Sequence, residues 1–171
     1  SWPGRMADED FVEFAQAAAG RLRDAAFLMC RDWHLAQDLT QTTLAKVYAN
    51  WRRVRRADDP HAYARKILLR CMLDQQRRRS SRELAMSTPP ERGEEHPAEL
   101  RMTLLDAVAT LPLRDRAIIV LRYWDDLSVE ATAEVVGVSI AVVKSQSMRS
   151  LNRLRELLGE TRSELFAEER H

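Results

Sequence analysis

Apolar residues recur along most of the chain at the three-and-four spacing of a helix. Phe11, Phe14, Ala15, Ala18, Leu22, Ala25, Ala26 and Met29 form one such face. Leu35, Leu39, Leu44, Val47, Tyr48 and Trp51 form a second. Asp58-Asp59-Pro60 breaks the pattern, because proline lacks an amide proton and pushes the residue before it out of the helical region. A third helix is predicted from Pro60 or His61, with Ala64, Ile67, Leu68 and Cys71 on one face and Lys66, Arg70 and Arg77 on another. It runs into Arg77-Arg78-Arg79, whose positive charge suits a helix C-terminus. No segment shows the period-two alternation of a strand with one exposed face.

From about Ser80 to Glu99 the periodicity dissolves. Ser80-Ser81, Pro89-Pro90, Gly93 and Pro97 stand among Glu91, Glu94 and Glu95. Structureless loops this long are uncommon inside compact folds, so the stretch reads as a linker. About 20 flexible residues span on the order of 25 Å. Four more helical segments follow. Leu104, Leu105, Val108 and Leu111 mark the first, and Pro112 opens the next, filled by Ala117, Ile118, Val120, Leu121 and Trp124. Asp125-Asp126 ends it. Ser128 is placed to cap a helix from Val129 to Val136, with Gly137 as its stop. Ser139 is placed to cap a last helix that runs to about Leu158. The expected fold is all-α: two small helical domains, residues 7–80 and 101–160, joined by a flexible linker at 81–100 and followed by a tail at 161–171. The five residues before Met6 are read as an expression remnant.

Charge changes this picture more than composition does. The 171 residues carry a net charge of only +1. Yet residues 51–82 hold 11 basic residues against 3 acidic ones, and residues 139–155 hold 4 basic residues and no acid. Two basic stretches in a nearly neutral chain suit a phosphate backbone; on charge alone, two solvated helix faces explain them equally well. Of the 27 basic residues 24 are arginine, a bias that a GC-rich genome also produces. Cys30 and Cys71 lie far apart with no zinc-type spacing, and are expected as buried thiols in a reducing cytosol. No apolar run approaches the roughly 20 residues that span a membrane, and no signal peptide is visible. The four histidines (His34, His61, His96, His171) are scattered, and no catalytic set, metal-ligand set or Gly-rich phosphate loop accompanies them. The chain is therefore expected to be neither an enzyme nor a cofactor or metal binder.

Ser128 to Arg155 has the layout of a helix-turn-helix, two helices joined by a short glycine-containing turn. Val138, Val143, Leu151 and Leu154 are assigned to its core. Lys144, Ser145, Met148, Arg149 and Asn152 fall on the opposite face, which offers cations to phosphates and donors to base edges. A helical hairpin with a basic outer face fits the same pattern.

The wording of the sequence goes further. Leu111-Pro112-Leu113-Arg114-Asp115-Arg116-Ala117, Leu121-Arg122-Tyr123-Trp124-Asp125-Asp126-Leu127-Ser128, Ala133-Glu134-Val135-Val136-Gly137-Val138-Ser139 and Val143-Lys144-Ser145-Gln146 resemble region 4 of the extracytoplasmic-function (group IV) sigma factors, of actinobacterial type. Ala36-Gln37-Asp38-Leu39-Thr40-Gln41-Thr42-Thr43-Leu44 resembles the region 2 helix of that family that docks on core RNA polymerase. Ala62-Tyr63-Ala64-Arg65-Lys66-Ile67-Leu68-Leu69-Arg70, with Asp74 and Arg77-Arg78-Arg79, resembles its −10 reading and melting segment. The resemblance implies a cytoplasmic alternative sigma factor with no catalysis of its own. Its implied partners are core RNA polymerase (clamp helices and flap), promoter DNA and a possible anti-sigma factor, with no membrane. It implies −35 contacts from Lys144, Ser145, Gln146, Met148 and Arg149; −10 contacts from Asp58, Asp59, Pro60, His61, Tyr63, Lys66 and Arg70; and polymerase docking through Asp38, Leu39, Gln41 and Thr42. Asp58-Asp59 serves equally as a helix cap, Tyr63 equally as a core aromatic, and Trp33 and Trp51 are assigned to core or interface. The chain departs from the family at Thr42, where Glu is common, at Asp126, where Gly is common, and at Ala141-Val142, where Gly-Thr is frequent. A polymerase-independent helix-turn-helix regulator and a helical adaptor for an acidic protein are the alternatives.

Overall fold

The computed structural model describes the backbone of residues 2–85 and 103–159, with the side chains of 6–82 and 103–159. Most of the expected linker, with Glu91, Glu94 and Glu95, and the expected tail lie outside the described residues. Within them the elements are all helical. In the N-terminal group, α1 spans Trp2–Cys30, α2 Trp33–Ala49, α3 Trp51–Val54 and α4 Pro60–Ala85. In the C-terminal group, α5 spans Leu104–Ala109, and α6 (Leu113–Ile119) runs into a π-helical turn, Val120–Trp124. Helices α7 (Val129–Val136) and α8 (Ile140–Leu158) follow.

Local chemistry explains most of these boundaries. Arg31, at φ 60°, ends α1, and the Asp32 carboxylate accepts from the Leu35 amide at 3.1 Å to start α2. The second helix predicted through Trp51 is two pieces. Asn50 turns out of helical geometry, and its side-chain amide donates to the Lys46 carbonyl at 3.1 Å, giving the backbone an alternative to the next helical bond. Helix α4 starts where expected, but it continues through Ala85, into the stretch read as linker. Arg82, Glu83, Leu84 and Ala85 are strong helix formers, and two serines do not outweigh them. Helix α1 likewise starts before Met6 and takes in residues set aside as a remnant.

In the C-terminal group, Thr103 and Asp106 form a reciprocal capping box on α5. Hydrogen bonding to Thr103, helped by the Arg31 guanidinium, holds the Asp106 carboxyl below its ordinary range. Asp126 adopts the left-handed conformation (φ 57°), which Asp tolerates better than most residues other than Gly. Ser128 and Ser139 cap α7 and α8, accepting from Ala131 and Val142 amides at 3.0 and 3.1 Å. Gly137 stops α7 in the left-handed region, at φ 78°. No atom lies within 4 Å of where a Cβ on Gly137 would sit. Gly137→Ala is therefore expected to cost only backbone strain, about 1–2 kcal/mol, readable as a lowered midpoint in thermal or urea unfolding.

The core crosses the boundary between the two groups. Phe14, Ala18, Leu22, Met29, Leu39, Val47, Trp51, Leu68, Leu69 and Met72 pack in one cluster with Leu113, Ala117, Val120, Leu121, Leu127 and Val135. Two satellites belong to the C-terminal group alone: Ala107, Val108, Leu111, Ile119 and Leu154, and then Ile118, Ala133 and Val143. The two helical units share this core, with α6, the π turn and α7 lying on α1 and α4. Polar contacts reinforce the seam. The Asp125 side chain is 2% exposed and receives Arg21 Nε at 2.6 Å and Arg65 Nε at 2.5 Å. The Arg21 guanidinium also lies 4.8 Å from the Trp124 ring centroid. Arg116 donates to the carbonyls of Leu111 (2.8 Å) and Met29, tying α6 to the end of α1. Both cysteines are free: Cys71 is buried as expected, whereas Cys30 is only half-buried, with its thiol pushed up chiefly by burial.

Candidate nucleic-acid interface

Helix α8 divides into a packed face and an open one. Val143, Ser147, Ser150 and Leu154 are buried, at the three-and-four spacing that aims them into the domain. Leu151 and Val138 are half-buried. Lys144, Ser145, Met148, Arg149 and Asn152 are exposed together on the other side, and Met148 is 67% exposed. Helix α7 crosses behind α8, with Ala133 where the two approach, packed against Ile118 and Val143. The two serine caps and the left-handed Gly137 fix the angle between these helices, so the outer face of α8 is presented by a rigid frame rather than by a loop. Gln146 is the exception among the sequence-selected residues. It is half-buried on the side toward α6, its amide between Asp115 and Arg149; the amide orientation that satisfies both neighbours has the nitrogen donating to Asp115 Oδ1 at 2.9 Å and the oxygen accepting from Arg149 Nη2 at 3.0 Å.

The second set gathers at the start of α4. Asp58 is exposed, and Asp59 Oδ1 accepts from the Ala62 amide at 3.1 Å, so Asp59 caps α4. Pro60 is the first helical residue. His61 is exposed with its ring 4.8 Å from that of Phe14. Tyr63 is half-buried and packs against the main core. Lys66 and Arg70, one turn apart on the same helix, continue this face, half-buried and exposed respectively. Arg65 points the other way, to Asp125.

A third surface is carried by α2. Asp38, Gln41 and Thr42 are exposed at the spacing of one helix face. Leu39 is 6% exposed and belongs to the core, so its side chain supports α2 from within and offers no surface for docking. Trp51 is a core residue at 7% exposure, whereas Trp33 is half exposed and stacks on Phe27 at 3.8 Å.

Sequence reasoning did not find Asp115, Asp125, Arg21 or Arg65. Asp125 was legible as a helix end, but its partners are 104 and 60 residues away. Among the described residues no cluster of three or more His, Cys, Asp or Glu comes together to hold a metal, and no helix is long and apolar enough to cross a membrane.

A helix-turn-helix with an open cationic face, packed on a second helical unit that carries its own basic face, defines a two-part nucleic-acid-binding protein. Family models agree and are more specific. Residues 14–82 match "Sigma-70 region 2" and residues 101–154 match "Sigma-70, region 4". The chain is 37% identical over 165 residues to the RNA polymerase sigma-E factor of Streptomyces antibioticus, covering 92% of this chain and 90% of that one. It is 32% identical over 152 residues to the RNA polymerase sigma-E factor of Streptomyces coelicolor, covering 87% and 86%. The solved sigma factor RpoE of Bartonella quintana, in complex with the anti-sigma factor NepR, superposes with a TM-score of 0.75 at 28% identity, covering 88% of this chain and 97% of that one. The chain belongs to the sigma-70 family of RNA polymerase sigma factors, in its extracytoplasmic-function group.

Proposed function

We propose that this protein is an alternative sigma factor that binds core RNA polymerase and directs it to promoters by reading a −35 and a −10 element. The observation that carries the reading is the pairing of a rigidly capped α8, whose open face bears Lys144, Ser145, Met148 and Arg149, with a second exposed basic face on α4 of the same chain. The first face suits a major groove, where cations hold phosphates and Arg reads guanine. The second suits the strand being opened, where Lys66 and Arg70 attract the backbone beside the Asp58–His61 corner and Tyr63. Asp38, Gln41 and Thr42 on α2 form the docking face for the polymerase, leaving Leu39 as its internal support. An anti-sigma factor is a partner of the solved relative, and this chain is expected to have one of the same class. The relatives described above are all sigma factors, and none favours a regulator that works without polymerase.

Binding of a promoter duplex with and without core enzyme tests this reading. The protein alone is expected to bind weakly and with a steep salt dependence, and the assembled holoenzyme tightly and selectively. Tight, selective binding by the protein alone would favour an independent regulator. Arg149→Ala is expected to weaken recognition of the −35 element by about 1–3 kcal/mol, measured as lost transcription from a −35-dependent promoter with polymerase binding retained.

A further inference from the structure

Resting on the reading of α8 as the −35 helix, we infer that Asp115 of α6 is a positioning residue that sets −35 specificity through Gln146 and Arg149. Gln146 lies between a carboxylate and a guanidinium. Only one amide orientation satisfies both neighbours: the nitrogen donates to Asp115 Oδ1 at 2.9 Å and the oxygen accepts from Arg149 Nη2 at 3.0 Å. Reversal would set oxygen against carboxylate and nitrogen against guanidinium.

This arrangement assigns different work to two residues that the sequence placed side by side as contacts. With both ends of its amide engaged, Gln146 holds Arg149 rather than reading a base. Arg149 is exposed and uses one Nη2 proton on Gln146, leaving its other N–H donors in a fork whose direction is set. A guanine edge needs two donors at fixed spacing, and an Arg already held in one rotamer loses less freedom on meeting it. Asp115 anchors the chain from the first turn of α6, where a carboxylate is favoured by the helix dipole. A negative charge close to a DNA-facing helix lowers affinity for any phosphate backbone, so its expected return is selectivity rather than strength.

The test is transcription by holoenzymes on a promoter library randomised across the −35 element. Asp115→Ala is expected to lower discrimination at the Arg149 base pair about tenfold, within the range of one good bidentate contact, while yield from the pooled library does not fall. Asp115→Asn keeps an oxygen that accepts from Gln146 and is expected to retain the parent profile, which separates orientation from charge. Gln146→Leu breaks the relay without touching α6 and is expected to affect the same base pair as Asp115→Ala. In an Arg149→Ala background, Asp115→Ala is expected to add nothing. An unchanged profile for Asp115→Ala, an equal loss in the Arg149→Ala background, or a different base pair affected by Gln146→Leu would overturn the relay. Unchanged selectivity in Arg149→Ala itself would overturn the −35 role of Arg149 and the relay together.

Discussion

Ile118→Ala is expected to destabilise the C-terminal helical group by about 3 kcal/mol, within the 2–5 kcal/mol range of such truncations, and to abolish −35-dependent transcription. Ile118 is fully buried, and its cluster is small: only Ala133 and Val143 are buried with it, with Val129, Val136 and Val138 at the edge. Of the three buried members it is the largest, so neighbouring side chains cannot collapse to fill the space it leaves. The cluster sits at the junction of α6, α7 and α8, and its loss frees α8 from the frame that presents Lys144 and Arg149. The N-terminal group keeps its own packing of α1, α2 and α4, so polymerase binding is expected to persist. Urea unfolding followed by circular dichroism reads the stability change. Polymerase binding measured alongside transcription reads the separation of the two roles.

Asp125→Ala is expected to weaken the seam between the two helical groups by about 2 kcal/mol, the scale of hydrogen bonds to a charged partner. The effect stays below that of a fully buried pair because Arg21 is 55% exposed and regains water easily, while Arg65, at 18%, loses more. The apolar part of the seam remains, with Leu113, Ala117, Val120 and Leu121 against the N-terminal helices. Asp125 ties the segment after the π-helical turn to α1 and α4 through Arg21 and Arg65, so Asp125→Ala is expected to ease any parting of the two groups. Small-angle scattering should show a larger radius of gyration for the variant; an unchanged radius together with unchanged stability would mean the clasp contributes nothing to the seam.

Much of the C-terminal group is legible in the sequence because its signals are local. Ser128, Gly137 and Ser139 each announce a helix boundary through one side chain or one backbone angle, and the open face of α8 follows from spacing alone. Leu39 shows the limit of transferring a motif whole: the docking segment is a helix, and only three of its four selected residues lie on the outer face. Asn50 and the extension of α4 to Ala85 turn on small competitions between side-chain bonding and helix propensity. The shared core and the Asp125 clasp are invisible to periodicity, because the partners are brought together only by the fold. The Asp115–Gln146–Arg149 relay joins α6 to α8, and nothing in the spacing along either helix announces it.

Run-off transcription by core polymerase on a pooled library of promoter-length fragments, with and without the protein, tests the central claim most directly. The account predicts discrete starts on a subset of fragments sharing a −35 and a −10 element, present only when the protein is added and with relaxed −35 selectivity when Arg149 is replaced by Ala. Absence of any protein-dependent start, with the protein folded and core enzyme active, would contradict it.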